Sequence, residues 1–255
     1  MQRKKSKIKE VTDMVIPDLI DIHCHIIPGI DDGSKYMEQT KNMLRMAYED
    51  GIRKIIATPH YHIGRAMAEY EDIQAGVNKL NMWLNKHEMD MEIYPGCEIY
   101  YFSDAMDMLE AGRLHTMAGG RCILMEFDPM VDFRKIQRAV NEAGMNGYVP
   151  IVAHIERYMC MIEDFDRAIE LIRLGALLQI NAQSVIGECG KDAQKYTKKI
   201  LKKKLISFVA SDAHSDGRRR PVLSECYKYV VKKCGEDYAY QIFRDNQLAV
   251  IEDRF

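Results

Sequence analysis

Short apolar, β-branched runs alternate along the chain with longer stretches whose apolar positions recur at helical spacing. The short runs predict strands over Leu19–Ile22, Arg53–Ala57, Met91–Pro95, Cys122–Glu126, Val149–Ala153, Leu177–Ile180 and Ile206–Ala210. Helices are predicted between them, over Tyr36–Asp50, Glu69–His87, Phe133–Ala143, Phe165–Leu174 and Ala193–Lys204. After the last strand come Val222–Cys234 and a final helix-like piece through Phe243. Gly51, Gly144 and Gly175 stand where a left-handed residue ends a helix. Strand–helix alternation of this kind predicts a parallel sheet covered by helices. Seven strands favour barrel-like closure over an open sheet. The expected fold is therefore α/β, with the functional face at the C-terminal ends of the strands.

Composition narrows this only a little. At 255 residues, 47% hydrophobic and 29% charged, the chain suits one large domain with an ordinary core. No linker, repeat or low-complexity segment divides it, so residues 18–255 read as one domain behind a basic leader at 1–17. The leader, beginning MQRKKSKIKE, lacks the apolar stretch of a secretory signal. A net charge of −2 and the absence of a basic stripe with interleaved aromatics argue against a nucleic-acid partner. No run approaches the ~18 apolar residues of a membrane span. The seven cysteines are scattered and form no CxxC, which suits reduced thiols in a cytoplasm.

The candidate chemistry lies at or just beyond the end of each strand. The first strand runs into His23 and His25, with Asp31 and Asp32 close behind. The second leads to His60, the third to Glu98, the fourth ends at Glu126 and the fifth at His154. The sixth reaches Asn181, and the seventh Asp212 and His214. Strand ends of an α/β barrel share one face, so residues almost 200 positions apart would converge. In an extended strand residues i and i+2 point the same way, so His23 and His25 can serve one ion while Cys24 turns to the core. Imidazole and carboxylate without thiolate select Mn²⁺ or iron first, with Zn²⁺ as the other option. Nine candidate ligands exceed the needs of one ion and point to two or three, an arrangement suited to phosphoryl transfer. Arg157 and Arg218 each come a short loop after a candidate ligand, where a guanidinium could hold phosphate oxygens. Arg219 and Arg220 read as surface ion pairs, and His87 and His115 as solvated.

Asp21-Ile22-His23-Cys24-His25, Asp31-Asp32-Gly33, Thr58-Pro59-His60, Gly96-Cys97-Glu98-Ile99-Tyr100, Glu126-Phe127, Ala153-His154-Ile155-Glu156-Arg157-Tyr158 and Ser211-Asp212-Ala213-His214 resemble, in order, the polymerase and histidinol phosphatase (PHP) superfamily. Within it they are similar to the bacterial protein-tyrosine phosphatases of capsular and exopolysaccharide operons. The resemblance implies a distorted (β/α)₇ barrel and three metal ions. It implies His23, His25 and Asp212 on the first ion, Glu98 as a bridge, and Glu126 and His154 completing the second. Asp32, His60 and His214 would hold the third, and Arg157 and Arg218 would orient the phosphate. The implied reaction is phosphotyrosine hydrolysis by a metal-activated water, on the C-terminal tail of a bacterial tyrosine autokinase. Histidinol phosphate, or another small phosphoester, is the alternative substrate. No cysteine is followed six positions later by arginine, so the thiol-based phosphatase loop is absent.

Overall fold

Ten strands occur in the computed structural model, which describes residues 16–255. They are β1 (Leu19–Cys24), β2 (Ile52–Ala57), β3 (His60–His62), β4 (Ala66–Met67), β5 (Glu92–Pro95), β6 (Glu98–Tyr100), β7 (Cys122–Glu126), β8 (Val149–Val152), β9 (Leu177–Asn181) and β10 (Phe208–Ala210). One sheet runs β1-β2-β5 and the other β10-β9-β8-β7-β6-β3-β4. All pairs are parallel except the hairpin of β3 with β4.

The two sheets are pieces of one curled wall. Ala57 faces Pro95 in the β2–β5 pair, and His60 faces Glu98 in the β3–β6 pair, so the same register continues across both breaks. Pro59 interrupts one strand because it has no N–H to give the ladder. Gly96 interrupts the other, at a point where a Cβ would sit 2.6 Å from Ile56 Cγ2. Counted this way, seven parallel strand positions surround the axis, as the sequence pattern predicts. The seam between β10 and β1 is joined by a parallel bridge of Cys24 to Ala213, with His25 N donating to Ala213 O at 2.8 Å.

Alternation along the strands divides the apolar residues into two bodies. Cys122 and Leu124, Ile151 and Ala153, and Phe208 and Ala210 point into the barrel with Ile20, Ile22 and Ile56. Val250 and Met117 join this interior cluster, so the C-terminal helix Asn246–Ile251 plugs the end opposite the functional face. The other face of each strand packs against the surrounding helices, among them Met37–Glu49, Tyr70–Lys86, Phe133–Met145 and Lys191–Lys202. The same alternation continues beyond the apolar layers, so Glu126 follows Leu124, and Asp212 follows Ala210.

The sequence-based elements are displaced by a residue or two at most ends. Three short strands escaped the apolar pattern: β3 and β6 are largely polar, and β4 is only two residues long. The helix expected to stop before Gly144 runs through it to Met145 and closes at Asn146, with Gly147 (φ 82°) taking the left-handed position. His115, expected in solvent, is buried, stacks on Tyr70 and donates from Nε2 to the Tyr70 carbonyl at 2.9 Å. The basic leader lies outside the described residues up to position 15, whereas Ile16 already packs on the core. Among the described residues no helix is long and apolar enough to cross a membrane.

Leu124 is fully buried in the interior cluster directly below the functional face. Its replacement by alanine should cost about 2–5 kcal/mol of unfolding free energy by leaving a cavity. Denaturant unfolding of the variant beside the wild type measures this.

Candidate metal centre

The strand ends bring all nine sequence-predicted ligands to one end of the barrel. Among the described residues, four groups each offer one donor atom per member within 4.8 Å of one another. These are His25, Asp32, His60 and His214; His23, His25 and Asp212; His23, Glu98 and His154; and His60, Glu98 and Glu126. Shared members make the groups a single chain of donors. Glu98 is central and buried: its Oε2 lies 3.1 Å from His23 Nε2, 3.2 Å from His25 Nε2 and 3.0 Å from His60 Nδ1.

These distances do not describe a satisfied hydrogen-bond network. Glu98 Oε2, His60 Nδ1 and His214 Nε2 are buried and have no partner in hydrogen-bond geometry. His23 Nε2 and His25 Nε2 face each other at 3.2 Å. An orphaned buried polar atom costs about 1–3 kcal/mol, so several aimed at one space would be expensive without a cation among them. The protonation states suit the same purpose. Burial, reinforced by Arg157, pushes His154 down to about 4, and burial with His25 nearby pushes His214 down to about 4. Both imidazoles therefore keep a lone pair at neutral pH. Burial alone would neutralise Glu98, yet His23 and His60 hold it well below the usual carboxylate range. Glu126 is pushed up to about 7 by burial and by the Glu98 charge beside it. Against the effect of burial, Glu98 raises His23 to about 9 and His60 to about 10, positive charge that a bound cation would replace at the same donors. A set of imidazoles and carboxylates fits divalent or trivalent metal ions.

The backbone is bent to present these groups. His154 (φ 29°) and Asp212 (φ 51°) both occupy the left-handed region that non-glycine residues avoid, at a cost of order 1–3 kcal/mol each. Gly33 lets the Asp31–Asp32 loop fold over the site, because a Cβ there would lie 2.4 Å from His25 Cβ and from His25 O.

Asp31, noted in the sequence beside Asp32 but given no role, accepts from His25 Nδ1 at 2.7 Å and from His60 N at 3.0 Å, so it orients two candidate ligands. Gln179 is fully buried on the face of β9 that also carries Asn181. The arginine beside the cluster is Arg219, which donates to Asp212 Oδ1 at 2.8 Å, and Arg157 donates to Asp212 Oδ2 at 2.5 Å. Arg218, expected at the phosphate, is exposed and makes no hydrogen bond or ion pair with the donors among the described residues. The turn after His214 accounts for this: His214 N and Ser215 N both bond to Arg219 O, which folds Arg219 back over the site. A cleft of about 650 Å³ opens above the donors. Asp32, His60 and Glu126 border its floor, while Tyr100, His62 and Arg65 line a wall.

Comparison with known proteins agrees with this geometry. The tyrosine-protein phosphatase CpsB of Streptococcus pneumoniae is 34% identical over 241 residues, which cover 92% of this chain and 99% of that protein. A solved structure from work on YwqE of Bacillus subtilis and CpsB of S. pneumoniae, described as unique metal-dependent tyrosine phosphatases, superposes with a TM-score of 0.86. It is 31% identical and covers 92% of this chain and 95% of its own. A histidinol phosphate phosphatase from Lactococcus lactis shares the fold at TM-score 0.56, covering 86% of this chain and 95% of its own, but only 14% of its residues are identical. Residues 19–252 match the family described as capsular polysaccharide synthesis, CpsB/CapC, and the chain belongs to that family.

Proposed function

We propose that this chain is a metal-dependent protein-tyrosine phosphatase acting from residues 18–255 as a single catalytic unit in the cytoplasm. The observation that carries the reading is the convergence of nine imidazole and carboxylate side chains, several with orphaned buried atoms, below an open cleft. The grouping of donor atoms supports three ions. His23, His25 and Asp212 would hold one, and Glu98 would bridge it to a second held with Glu126 and His154. Asp32, His60 and His214 would hold a third. Mn²⁺ or iron, with Zn²⁺ as the other option, suits these donors. When bound, such ions polarise phosphate oxygens and lower the pKa of a coordinated water.

The chain's own groups do the rest. Arg157 and Arg219 reach the Asp212 carboxylate from the open side, with side chains 37% and 35% exposed, so each can turn a guanidinium edge to a phosphate in the cleft. This pair replaces the Arg157 and Arg218 pair expected from the sequence. The aromatic wall of Tyr100 and His62, stacked at 3.9 Å, offers a flat surface to an aryl group. A phenolic leaving group, with a pKa near ~10, needs little protonation to depart. Thiol chemistry has no candidate here: Cys24 and Cys97 lie beneath the site, and burial pushes both thiols up. The relatives' names and the family's description support a tyrosine-phosphorylated protein of capsular polysaccharide synthesis as the substrate, and a bacterial tyrosine kinase is the partner proposed for that role.

Turnover of a phosphotyrosyl peptide against histidinol phosphate, with Mn²⁺ present, tests the assignment directly; preference for histidinol phosphate would overturn it. His23→Ala or Asp212→Ala should remove bound metal and activity together, read by elemental analysis and peptide turnover. Arg157→Ala should keep its metal and lose about 2.7–4 kcal/mol of transition-state stabilisation, read as kcat/KM. Gly33→Ala should force the Asp31–Asp32 loop away from His25 and lower metal content, while a metal-free sample keeps wild-type secondary structure by circular dichroism.

A further inference from the structure

Gln179 is fully buried and makes polar contacts with three other side chains or backbone groups of the site. Its Oε1 accepts from His154 N at 2.8 Å and lies 3.2 Å from His23 Nδ1. Its Nε2 donates to Asn181 Oδ1 at 2.8 Å, and Asn181 Nδ2 donates to Asp212 Oδ2 at 2.8 Å. An amide has a donor end and an acceptor end, so the order of these contacts is constrained. Asp212 receives a guanidinium on each oxygen, Arg219 on Oδ1 and Arg157 on Oδ2, and is therefore a carboxylate that can only accept. Asn181 must then turn its NH₂ to Asp212 and its oxygen to Gln179. Gln179 must turn its NH₂ to Asn181 and its oxygen to His23 and to the His154 amide. His23 must accordingly carry a proton on Nδ1, so that Nε2, 3.1 Å from Glu98 Oε2, is the nitrogen left to ligate.

We propose that Gln179 and Asn181 form a directional amide relay that fixes the tautomer of His23 from the carboxylate of Asp212, making Gln179 a positioning residue for the metal centre. The relay ties together three candidate ligands from three strand ends. It also restrains both left-handed residues of the site: His154 through its amide, and Asp212 through its side chain. A hydrophobic residue at position 179 would fill the same space yet leave the His154 amide without an acceptor and let His23 adopt either tautomer. Ligand partners of this kind change metal affinity by about 10–100-fold when removed.

This inference rests on the metal reading, and its test separates the two. Metal affinity is measured by chelator competition with Mn²⁺ for the wild type, Gln179→Met, Asn181→Ala and the double variant; the melting temperature of each metal-free protein is recorded alongside. The expected result is affinity lowered about 10–100-fold in each single variant, with the metal-free melting temperature lowered less than that of the Mn²⁺-loaded protein. The double variant should bind no more weakly than the weaker single variant, since both cut one relay. Asn181→Ala leaves the His154 contact intact, so it reports on the relay if Gln179→Met fails to fold. Wild-type affinity in both variants would overturn the relay, as would additive losses. A metal-free melting temperature lowered as much as the loaded one would make the role structural and likewise overturn it. A wild-type protein that binds no Mn²⁺, Fe²⁺ or Zn²⁺ would sink the metal reading first, and the relay with it.

Discussion

The structure turns on the charge balance around Glu98. A carboxylate fully enclosed among His23, His25, His60 and His154 cannot be solvated, and its position leaves Oε2 without a directed hydrogen bond. Hydrocarbon neighbours would drive it neutral. Here the imidazoles hold it ionised, and the adjacent Glu126 is left to absorb the repulsion by titrating near neutrality. Two carboxylates side by side and imidazoles crowded at 3.2 Å make poor internal packing, but they make a suitable cradle for positive charge. The barrel below them is rigid and apolar, which allows such a frustrated layer to persist at its rim.

Rim and barrel are built by the same bonds. Asp212 N donates to His23 O at 2.8 Å, His25 N to Ala213 O at 2.8 Å, and Thr58 N to Cys24 O at 2.9 Å. Closing the seam between the first and last strands therefore places three candidate ligands in the same step. The contact spans 189 positions of chain, and loop closure over such a distance needs a local reward. Buried Asp21 supplies part of it by accepting from Ser211 N at 3.0 Å and from Ser211 Oγ at 2.5 Å. Burial raises the Asp21 carboxyl to about 6 even against those two bonds. The seam thus has polar contacts of its own beside the candidate ligands.

Much of this was legible in the sequence because strand periodicity carries chemistry as well as hydrophobicity. His-x-His, Glu126 and Asp212 all sit where an inward-facing register leaves its apolar layers. The same rule, extended two residues back from Asn181, would have marked Gln179 as inward-facing; an isolated glutamine in an apolar run gave no chemical reason to look. The arginine was harder. Arg218, Arg219 and Arg220 are consecutive, and nothing in their order says which one a turn will fold inward. That choice is made by the carbonyl of Arg219, which accepts from both His214 N and Ser215 N. Short polar strands such as β3 and β6 were hidden for a related reason: their residues serve the site, so the apolar signal of a strand is missing where its function is greatest.

The two left-handed residues connect strain to chemistry. His154 lies just past β8 and Asp212 just past β10, and each turns the chain sharply where a continued strand would have carried the next side chains away from the axis. A glycine at either place would relieve the backbone but remove the ligand. The fold keeps the side chain and restrains the backbone instead, with Gln179 Oε1 on the His154 amide and His23 O on the Asp212 amide. Both restraints end on His23, through its ring nitrogen in one case and its carbonyl in the other. A displacement of His23 would therefore loosen both strained corners at once, which makes the first strand the reference against which the rest of the site is set.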